Sequence, residues 1–300
     1  MQRAFAPILA GSGVEGMLTP EFHRWKYTGP LAPARIAVVT DGERLLATNA
    51  MYAVDLVWND RRIRGWVSSD TATDPDARGP GYFLACLRAL EKSLGPDELF
   101  FGFPNRNSLR GFQNVGWREQ QVMPAWVRVV PGWSVGDLEP LPSFGDEYDA
   151  FAAAFMRGRP PMVERTGAYM SWRYSRHPMV QYSVLACRRD GRLAGVVVLR
   201  EAKAFGRHLA LVMECLGLDR GIEARLLRGA AGWARERRVW PIFTFSTVLT
   251  PTLGLQAGFL PVPARVLPKR QALLGRGTGP MSSELFARRW ELQLGDWDGF

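Results

Sequence analysis

The stretch Thr73-Asp74-Pro75-Asp76-Ala77-Arg78-Gly79-Pro80-Gly81-Tyr82-Phe83 places a polar turn with two glycines directly before an apolar helical run. Glycine at 79 and 81 lets a ligand approach the main chain without a Cβ in the way. The helix predicted from Tyr82 to Leu94 then offers its unpaired N-terminal N–H groups to an anion. The stretch therefore predicts a turn that binds a pyrophosphate.

The residues around this turn predict an alternation of strands and helices. Upstream, the run 36–39 and the hairpin turn Asp41-Gly42 precede two longer strands at 45–57 and 63–69. Downstream, the helical face is followed by a short apolar strand at 99–103 and a second helix at 105–113. The order predicts an α/β protein with a mixed sheet.

This arrangement resembles the GCN5-related N-acetyltransferase superfamily over roughly residues 22–130. The matching parts are the turn Arg78-Gly79-Pro80-Gly81 with its helix, Phe103-Pro104-Asn105 with Ser108, and Gly116-Trp117 in the place of the family's Gly-Phe. The resemblance implies acetyl-CoA as cofactor, with its pyrophosphate at the turn and its pantetheine arm along a splayed strand. Two positions depart from the family pattern: Asp76 where Gln or Arg is usual, and Phe112 where a tyrosine often acts as general acid.

The resemblance also implies which residues bind the cofactor. Main-chain N–H groups near Thr71 and Thr73 would bond the pantetheine arm and the thioester carbonyl. Asn105 and Ser108 have a second interpretation, as caps of the helix that they begin. The full set of cofactor-binding residues predicted here is Thr71, Ala72, Thr73, Arg78, Gly79, Pro80, Gly81, Tyr82, Phe83, Asn105, Ser108 and Phe112.

Three short motifs occur twice in the same order. Trp25-Lys26-Tyr27 returns as Trp172-Arg173-Tyr174, Asp41-Gly42 as Asp190-Gly191, and Gly116-Trp117 as Gly258-Phe259. Motifs that repeat in the same order indicate two copies of one supersecondary structure. We therefore predict an N-terminal acetyl-CoA-binding domain at 1–135, a linker with a short helix at 136–165, and a second domain of the same kind at 166–300.

The second copy is predicted to be degenerate. Its turn, Asp219-Arg220-Gly221-Ile222-Glu223, keeps one glycine and places a carboxylate where a pyrophosphate would lie, and like charges repel. The helix 223–237 has a regular apolar stripe, and Trp290 to Trp297 is predicted as a last strand packed on this domain. The second copy is therefore expected to supply a wall of the acceptor cleft.

Two carboxylates are the predicted catalytic residues. Asp70 ends the strand before the glycine turn, where the superfamily often keeps a base, although a turn-capping role is equally consistent with the sequence. Glu214 has a comparable place in the second copy, where apolar neighbours would raise its pKa, or else it pairs with an arginine. Because Phe112 has no proton to donate, Tyr82, Ser108 or solvent would protonate the leaving thiolate.

Composition narrows the classes of protein. The chain has 300 residues, 47% hydrophobic and 22% charged, with a formal net charge of +9, which suits phosphate-bearing ligands. No apolar stretch is long enough for a membrane span, and Cys86, Cys187 and Cys215 lie far apart in apolar surroundings. We expect a cytoplasmic protein with buried thiols. The isolated histidines at 23, 177 and 208 predict no metal site.

The leading functional interpretation is an N-acyltransferase that moves an acetyl or short acyl group from acyl-CoA to a primary amine of a small molecule, such as an amino sugar or an amino acid. One alternative is a transferase that uses aminoacyl-tRNA, which the basic charge suits and the intact glycine turn opposes. Another is a non-catalytic protein that keeps CoA binding alone. The expected partners are the amine and no membrane, nucleic acid is disfavoured, and the chain is expected to be a monomer or a homodimer.

Overall fold

The computed structural model describes residues 19–129, 138–204, 207–267 and 270–297, which form two mixed seven-stranded sheets with helices packed on them. The predicted α/β class is confirmed. The strands, in chain order, are β1 (Arg35–Asp41), β2 (Arg44–Trp58), β3 (Arg61–Thr73), β4 (Leu99–Gly102), β5 (Arg118–Val122), β6 (Ala125–Arg128), β7 (Glu139–Pro140), β8 (Met162–Val163), β9 (Ser183–Arg189), β10 (Arg192–Ala204), β11 (Arg207–Gly217), β12 (Ile242–Phe245), β13 (Leu260–Val262) and β14 (Ala272–Gly277).

Hairpins join β1 to β2, β2 to β3, β9 to β10 and β10 to β11, and helices follow β3 and β11. The helices are α1 (Pro20–Tyr27), α2 (Tyr82–Lys92), α3 (Arg106–Asn114), α4 (Asp146–Met156), α5 (Gly167–Met170), α6 (Arg220–Arg237), α7 (Pro251–Gln256) and α8 (Pro280–Phe286). The predicted helices after each turn are confirmed as α2 and α6. Helix α6 begins before the predicted 223 because the Asp219 carboxylate accepts a hydrogen bond from the Ile222 N–H at 3.0 Å, which caps the helix. Within the described ranges, no helix combines the length and the apolar character that crossing a bilayer requires.

Both predicted hairpin turns are present. Gly42 joins β1 to β2 at φ +56°, and Gly191 joins β9 to β10 at φ +74°. This left-handed backbone region suits glycine because it has no Cβ to clash. The repeated Asp-Gly motif therefore marks equivalent hairpins in the two sheets.

Each sheet contains a strand from the other half of the chain. The first sheet has the order β1-β2-β3-β4-β14-β5, with β8 on β2, and the second has the order β13-β6-β12-β11-β10-β9-β7. Thus β14 pairs with β4 and β5, while β6 pairs with β12 and β13. The boundaries 1–135, 136–165 and 166–300 stay a prediction, but the two sheets do not follow them. Residues 136 and 137 of the predicted linker lie outside the described ranges.

The largest apolar cluster is shared by the two halves. Phe101 and Leu56 of the first sheet belong to the same cluster as Val196 and Leu216 of the second, and all four are buried. A second cluster lies under α6, and a third lies under α2 and α3. Because the largest cluster spans both sheets, the halves bury one common core rather than two separate ones.

The segment 290–297 differs from the predicted last strand. It makes a single β-bridge, Gln293 to Ser246, and then a 3-10 turn at Leu294–Asp296. The predicted alternation of apolar residues is nevertheless buried, since Trp290, Leu292 and Leu294 are at most 1% exposed. The strand that does add to a sheet is β14, whose short apolar run the sequence pattern did not single out.

Candidate functional site

Strands β3 and β4 diverge next to the glycine turn. They pair in parallel at Gly65–Leu99, Trp66–Phe100 and Val67–Phe101, after which β4 ends at Gly102 while β3 continues to Thr73. The later part of β3 keeps its pairing with β2 on the opposite edge. Between described residues, no ladder covers the β4-facing edge of this part of β3. A strand edge of this kind can hydrogen-bond an extended amide-bearing ligand.

Thr71, Ala72 and Thr73, three of the predicted cofactor residues, lie on this unpaired stretch. Ala72 pairs with Thr48 and Thr73 with Ala47, which fixes their backbone from the β2 side. The Asn49 side-chain amide donates to the Thr71 hydroxyl at 2.8 Å and holds that side chain on the sheet. These contacts leave the β4-facing edge of the segment without a strand partner among the described residues. Its contact with a pantetheine arm stays a prediction.

The glycine turn leaves open space at both of its glycines. Gly79 has φ +113° and Gly81 has φ +87°, and a Cβ at either position would meet nothing within 4 Å. Gly81 is the N-cap residue of α2 and supplies no side-chain hydrogen bond to its first turn. The N–H groups that begin α2 at Tyr82 therefore present the positive end of the helix dipole to a ligand, which suits a phosphate.

The polar residues of the turn stabilise its shape. Asp74 accepts a hydrogen bond from the Asp76 N–H at 3.0 Å and two from the Arg44 guanidinium at 3.0 and 2.8 Å. The Asp76 carboxylate, the departure from the family pattern, lies 3.6 Å from Arg44. Arg78 is exposed beside the glycines. An arginine in this position can pair with phosphate oxygens.

Asn105 and Ser108 cap α3. The Asn105 carboxamide oxygen accepts hydrogen bonds from the N–H groups of Asn107 and Ser108 at 2.9 and 3.0 Å, and Ser108 Oγ accepts one from the Asn105 N–H at 3.2 Å. This is a capping box, the alternative left open by the sequence. The cap occupies both side chains and gives no support to the predicted cofactor contact.

Phe83 and Phe112 belong to the apolar packing under the turn. Phe112 is 3% exposed, with its ring 5.4 Å from the Phe83 ring and 4.6 Å from the Trp117 ring. Phe83 in turn packs against Gly111, where a Cβ would lie 2.0 Å from the ring. The predicted cofactor contact of the Phe112 side chain is therefore not supported, because this side chain fills the core between α2 and α3.

Asp70 lies at a bulge of β3, beside the divergence. Its φ of +48° turns the carboxylate toward α1, where it accepts a hydrogen bond from the Tyr27 hydroxyl at 2.6 Å and pairs with the Lys26 ammonium at 3.0 Å. Burial raises the pKa of Asp70, but Lys26 and Tyr27 outweigh burial and hold it below its ordinary value. A carboxylate with a lowered pKa is a weak base at neutral pH.

His23 lies on α1 beside Tyr27 and close to Asp70. Its ring is stacked on the Tyr27 ring at 5.5 Å with an interplanar angle of 1°. Burial lowers the pKa of His23 below 6.5, and the nearby Asp70 opposes that shift only in part. His23 is therefore neutral at pH 7, so its imidazole can accept a proton. The signal available in the sequence was the i, i+4 spacing of His23 and Tyr27, which places them on one helix face.

Glu214, the second predicted catalytic residue, is a buried structural group. It has no exposed surface, and its oxygens accept hydrogen bonds from Tyr174 at 2.6 Å and Arg165 at 3.2 Å. Burial raises the pKa of Glu214 to about 7, since Arg165 also pairs with Asp296 at 2.8 Å and neutralises Glu214 incompletely. The raised pKa and the arginine pairing agree with the expectation from the sequence. A substrate cannot reach this buried carboxylate, so the predicted catalytic role of Glu214 is not supported.

Glu223 is likewise buried and paired. Its two oxygens bond Arg159 at 3.1 Å and Arg220 at 2.8 Å, and the residue is 1% exposed. The three cysteines are buried, as predicted, and none of them forms a disulfide. Glu214 and Glu223, the residues of the second half that correspond in sequence to Asp70 and to the glycine turn, are thus both buried and paired.

This fold is similar to those of solved N-acetyltransferases. A GCN5-related N-acetyltransferase from Anabaena variabilis ATCC 29413 shares 11% identity, over 80% of this chain and 62% of that one, with a TM-score of 0.59. A conserved protein of unknown function from Enterococcus faecalis V583, described as a probable N-acyltransferase, shares 14% identity over 95% and 71% of the two chains, with a TM-score of 0.66. A GCN5-related N-acetyltransferase from Sphaerobacter thermophilus shares 16% over 93% and 92%, at 0.50.

These similarities define the class of fold. No protein-family model and no curated protein sequence matches the chain. The structural matches confirm the fold predicted from the glycine turn, that of the GCN5-related N-acetyltransferase superfamily.

Proposed function

We propose that the protein is an N-acyltransferase that moves an acetyl or short acyl group from acyl-CoA to a primary amine of a small molecule, such as an amino sugar or an amino acid. The observation that supports this most directly is the divergence of β3 from β4 beside a glycine turn that opens α2. The similarity to solved N-acetyltransferases supports the same class of reaction. The first half is the cofactor-binding domain of a tandem pair. A cytoplasmic location fits the three buried cysteines of the chain, none of which forms a disulfide.

The first half fits a phosphate-bearing cofactor. The space beside Gly79 and Gly81 admits phosphate oxygens to the N–H groups that begin α2, and Arg78 adds a positive charge. The backbone of Thr71 to Thr73 would bond the amides of the pantetheine arm. When bound, the cofactor supplies an acyl group activated as a thioester.

His23 and its neighbours Lys26 and Tyr27 on α1, together with Asp70 on β3, handle the proton of the amine. The amine nitrogen attacks the thioester carbonyl carbon, so that a C–N bond forms and the C–S bond breaks. Neutral His23 takes the proton that the amine loses. Asp70 is a positioning residue, since it accepts the Tyr27 hydroxyl and pairs with Lys26 beside the imidazole. Because Phe112 has no proton to give, Tyr82, Ser108 or solvent would protonate the leaving thiolate.

Calorimetric titration with acetyl-CoA tests the proposal. Gly81→Glu places a carboxylate in the phosphate space and should abolish binding, since like charges repel. Gly191→Glu is the matched control, because Gly191 also has a positive φ and open space for a Cβ but lies in a hairpin of the second sheet. Binding by the parent and by Gly191→Glu, with release of free CoA on adding a suitable amine, supports the proposal.

Absence of acetyl-CoA binding by the parent would overturn the proposed function. Binding without turnover across a broad panel of primary amines would favour the second candidate, a non-catalytic CoA-binding protein. The observation that favours this candidate is Phe112, an apolar residue at the position where the superfamily often has its acid, packed in the core.

A further inference from the structure

The second sheet diverges as the first does. β11 and β12 pair in parallel at Ala210–Ile242 and Leu211–Phe243, after which β11 continues to Gly217 and β12 ends at Phe245. In the first sheet the equivalent edge of β3 borders the proposed cofactor site. In the second sheet the segment 290–297 contacts both diverging strands.

The side chain of Gln293 bonds the backbone of β11. Its carboxamide oxygen accepts a hydrogen bond from the Cys215 N–H at 2.6 Å, and its nitrogen donates to the Cys215 carbonyl at 3.3 Å. This two-point contact is the one an amide of an extended ligand makes with a strand edge. Cys215 follows Glu214 in β11 as Thr71 follows Asp70 in β3, and both carboxylates accept a tyrosine hydroxyl of the repeated motif.

The backbone of the same segment bonds the chain that continues from β12. The Thr247 N–H donates to the Leu292 carbonyl at 2.9 Å, and the Leu292 N–H donates to Thr247 Oγ1 at 2.8 Å. Leu292 and Leu294 have no exposed surface. Asp296 then pairs with the fully buried Arg165 at 2.8 Å, which fixes the far side of the segment.

Ion pairs fill the end of this cleft that corresponds to the phosphate site. Arg159 donates to the Gly217 carbonyl at 2.6 Å and to the Glu223 carboxylate at 3.1 Å, and it also pairs with Glu291 at 2.9 Å. The first half has two open glycines at this place, whereas the second has a buried network that includes two carboxylates. A pyrophosphate would have to displace these groups.

We propose that residues 291–296 act as a built-in substitute for a cofactor in the second cleft. The Gln293 amide replaces the amide of a pantetheine arm at Cys215, and the segment holds β11 and the chain after β12 together without any ligand. The chain consequently binds one acyl-CoA, and only the first cleft depends on that ligand for its order. The inference that the chain binds a single acyl-CoA rests on the proposed function. The role of Gln293 rests on the contacts of the second cleft alone.

Amide hydrogen exchange of the full-length protein tests this role directly. Gln293→Ala should speed exchange of the Cys215 amide by about tenfold or more, the effect of losing one buried hydrogen bond, and saturating acetyl-CoA should not restore protection. Gln256→Ala, which changes an exposed glutamine on α7, should leave that exchange rate at the parent value. Calorimetry should give one acetyl-CoA site in the parent and in Gln293→Ala.

Equal exchange of the Cys215 amide in the parent and in Gln293→Ala would overturn the inference, as would protection of that amide by acetyl-CoA or a second site in the parent. A parent that binds no acetyl-CoA contradicts the proposed function only. The exchange rate at Cys215, measured without ligand, then decides the role of Gln293 by itself.

Discussion

The indole rings of Trp25 and Trp172 stack with their centroids 4.9 Å apart, and each donates its Nε1–H to the backbone carbonyl of the other, at 2.8 and 3.0 Å. The contact is reciprocal, as in a two-fold interface between identical partners. The first members of the repeated motifs Trp25-Lys26-Tyr27 and Trp172-Arg173-Tyr174 therefore meet directly. The repeat found in the sequence therefore supplies one of the contacts between the two halves.

Removing either indole should destabilise the contact between the two halves of the chain. We expect Trp25→Ala and Trp172→Ala each to lower the free energy of unfolding by about 3 kcal/mol or more. The double variant should lose less than the sum, because both changes remove the same contact. Urea denaturation measures all three, with Leu255→Ala, at a position 68% exposed, as control. Strict additivity would show that the two indoles do not stabilise each other.

Glu214 should make stability fall as pH rises. Burial raises its pKa from 4.5 to about 7 in the folded state. Between these values the folded protein holds a proton that the unfolded chain releases, so the stability contributed by this proton is lost toward pH 7. The loss relative to Glu214→Gln should reach about 3 kcal/mol between pH 5 and pH 8. Thermal unfolding across this range measures it, and Glu236→Gln, a change at an exposed site, should follow the parent.

His23→Ala should slow acyl transfer with little effect on acetyl-CoA affinity. Loss of a general base typically lowers kcat by about a hundredfold or more. His208→Ala is the matched control, since His208 is exposed on β11. In the parent, kcat/KM should fall on the acid side at a pH below 6.5, because burial lowers the pKa of His23. Unchanged kcat in His23→Ala would exclude this residue as the base.

Asp70→Asn should move the acid limb of that pH profile. The Asp70 carboxylate raises the pKa of His23, opposing the effect of burial. Its replacement by a neutral amide should therefore shift the limb to lower pH. Asp55→Asn serves as control, because Asp55 is also a paired carboxylate on a strand, bonded to Arg64 at 2.7 Å, but lies at the other end of β2. A purely structural role for Asp70 would change activity without moving the limb.

The exchange of β6 and β14 should make the halves dependent on each other. We expect fragments 1–135 and 136–300 to fold poorly when expressed alone, because the first lacks β14 and the second lacks β6. Expressed together, they should elute as one complex in gel filtration. A well-folded 1–135 fragment by itself, with a cooperative unfolding transition, would contradict this expectation.

Local patterns predicted what depends on local chemistry. The glycine turn, α2, both hairpins and the repeat follow from backbone conformation and helical periodicity, which neighbouring residues determine. The pairing of Leu274 with Gly102 is set by residues far apart in sequence, and a six-residue strand carries no mark of its partner. The burial of Glu214 likewise depends on Arg165, Tyr174 and Asp296, which only the folded chain brings together. His23 was not predicted because its i, i+4 spacing with Tyr27 is also common on ordinary surface helices, and Asp70 joins them only in the folded chain.

Strand β14 lies between β4 and β5 in the first sheet, but it is synthesised long after both of them. A ribosome releases β1 to β5 first, whereas β14 (Ala272–Gly277), which pairs with both β4 and β5, follows every other strand that the structure describes. Until then both strands present unpaired edges to the cell, and such edges invite pairing with other chains. We therefore expect the nascent first half to be open to chaperone binding and to aggregation until β14 has been made.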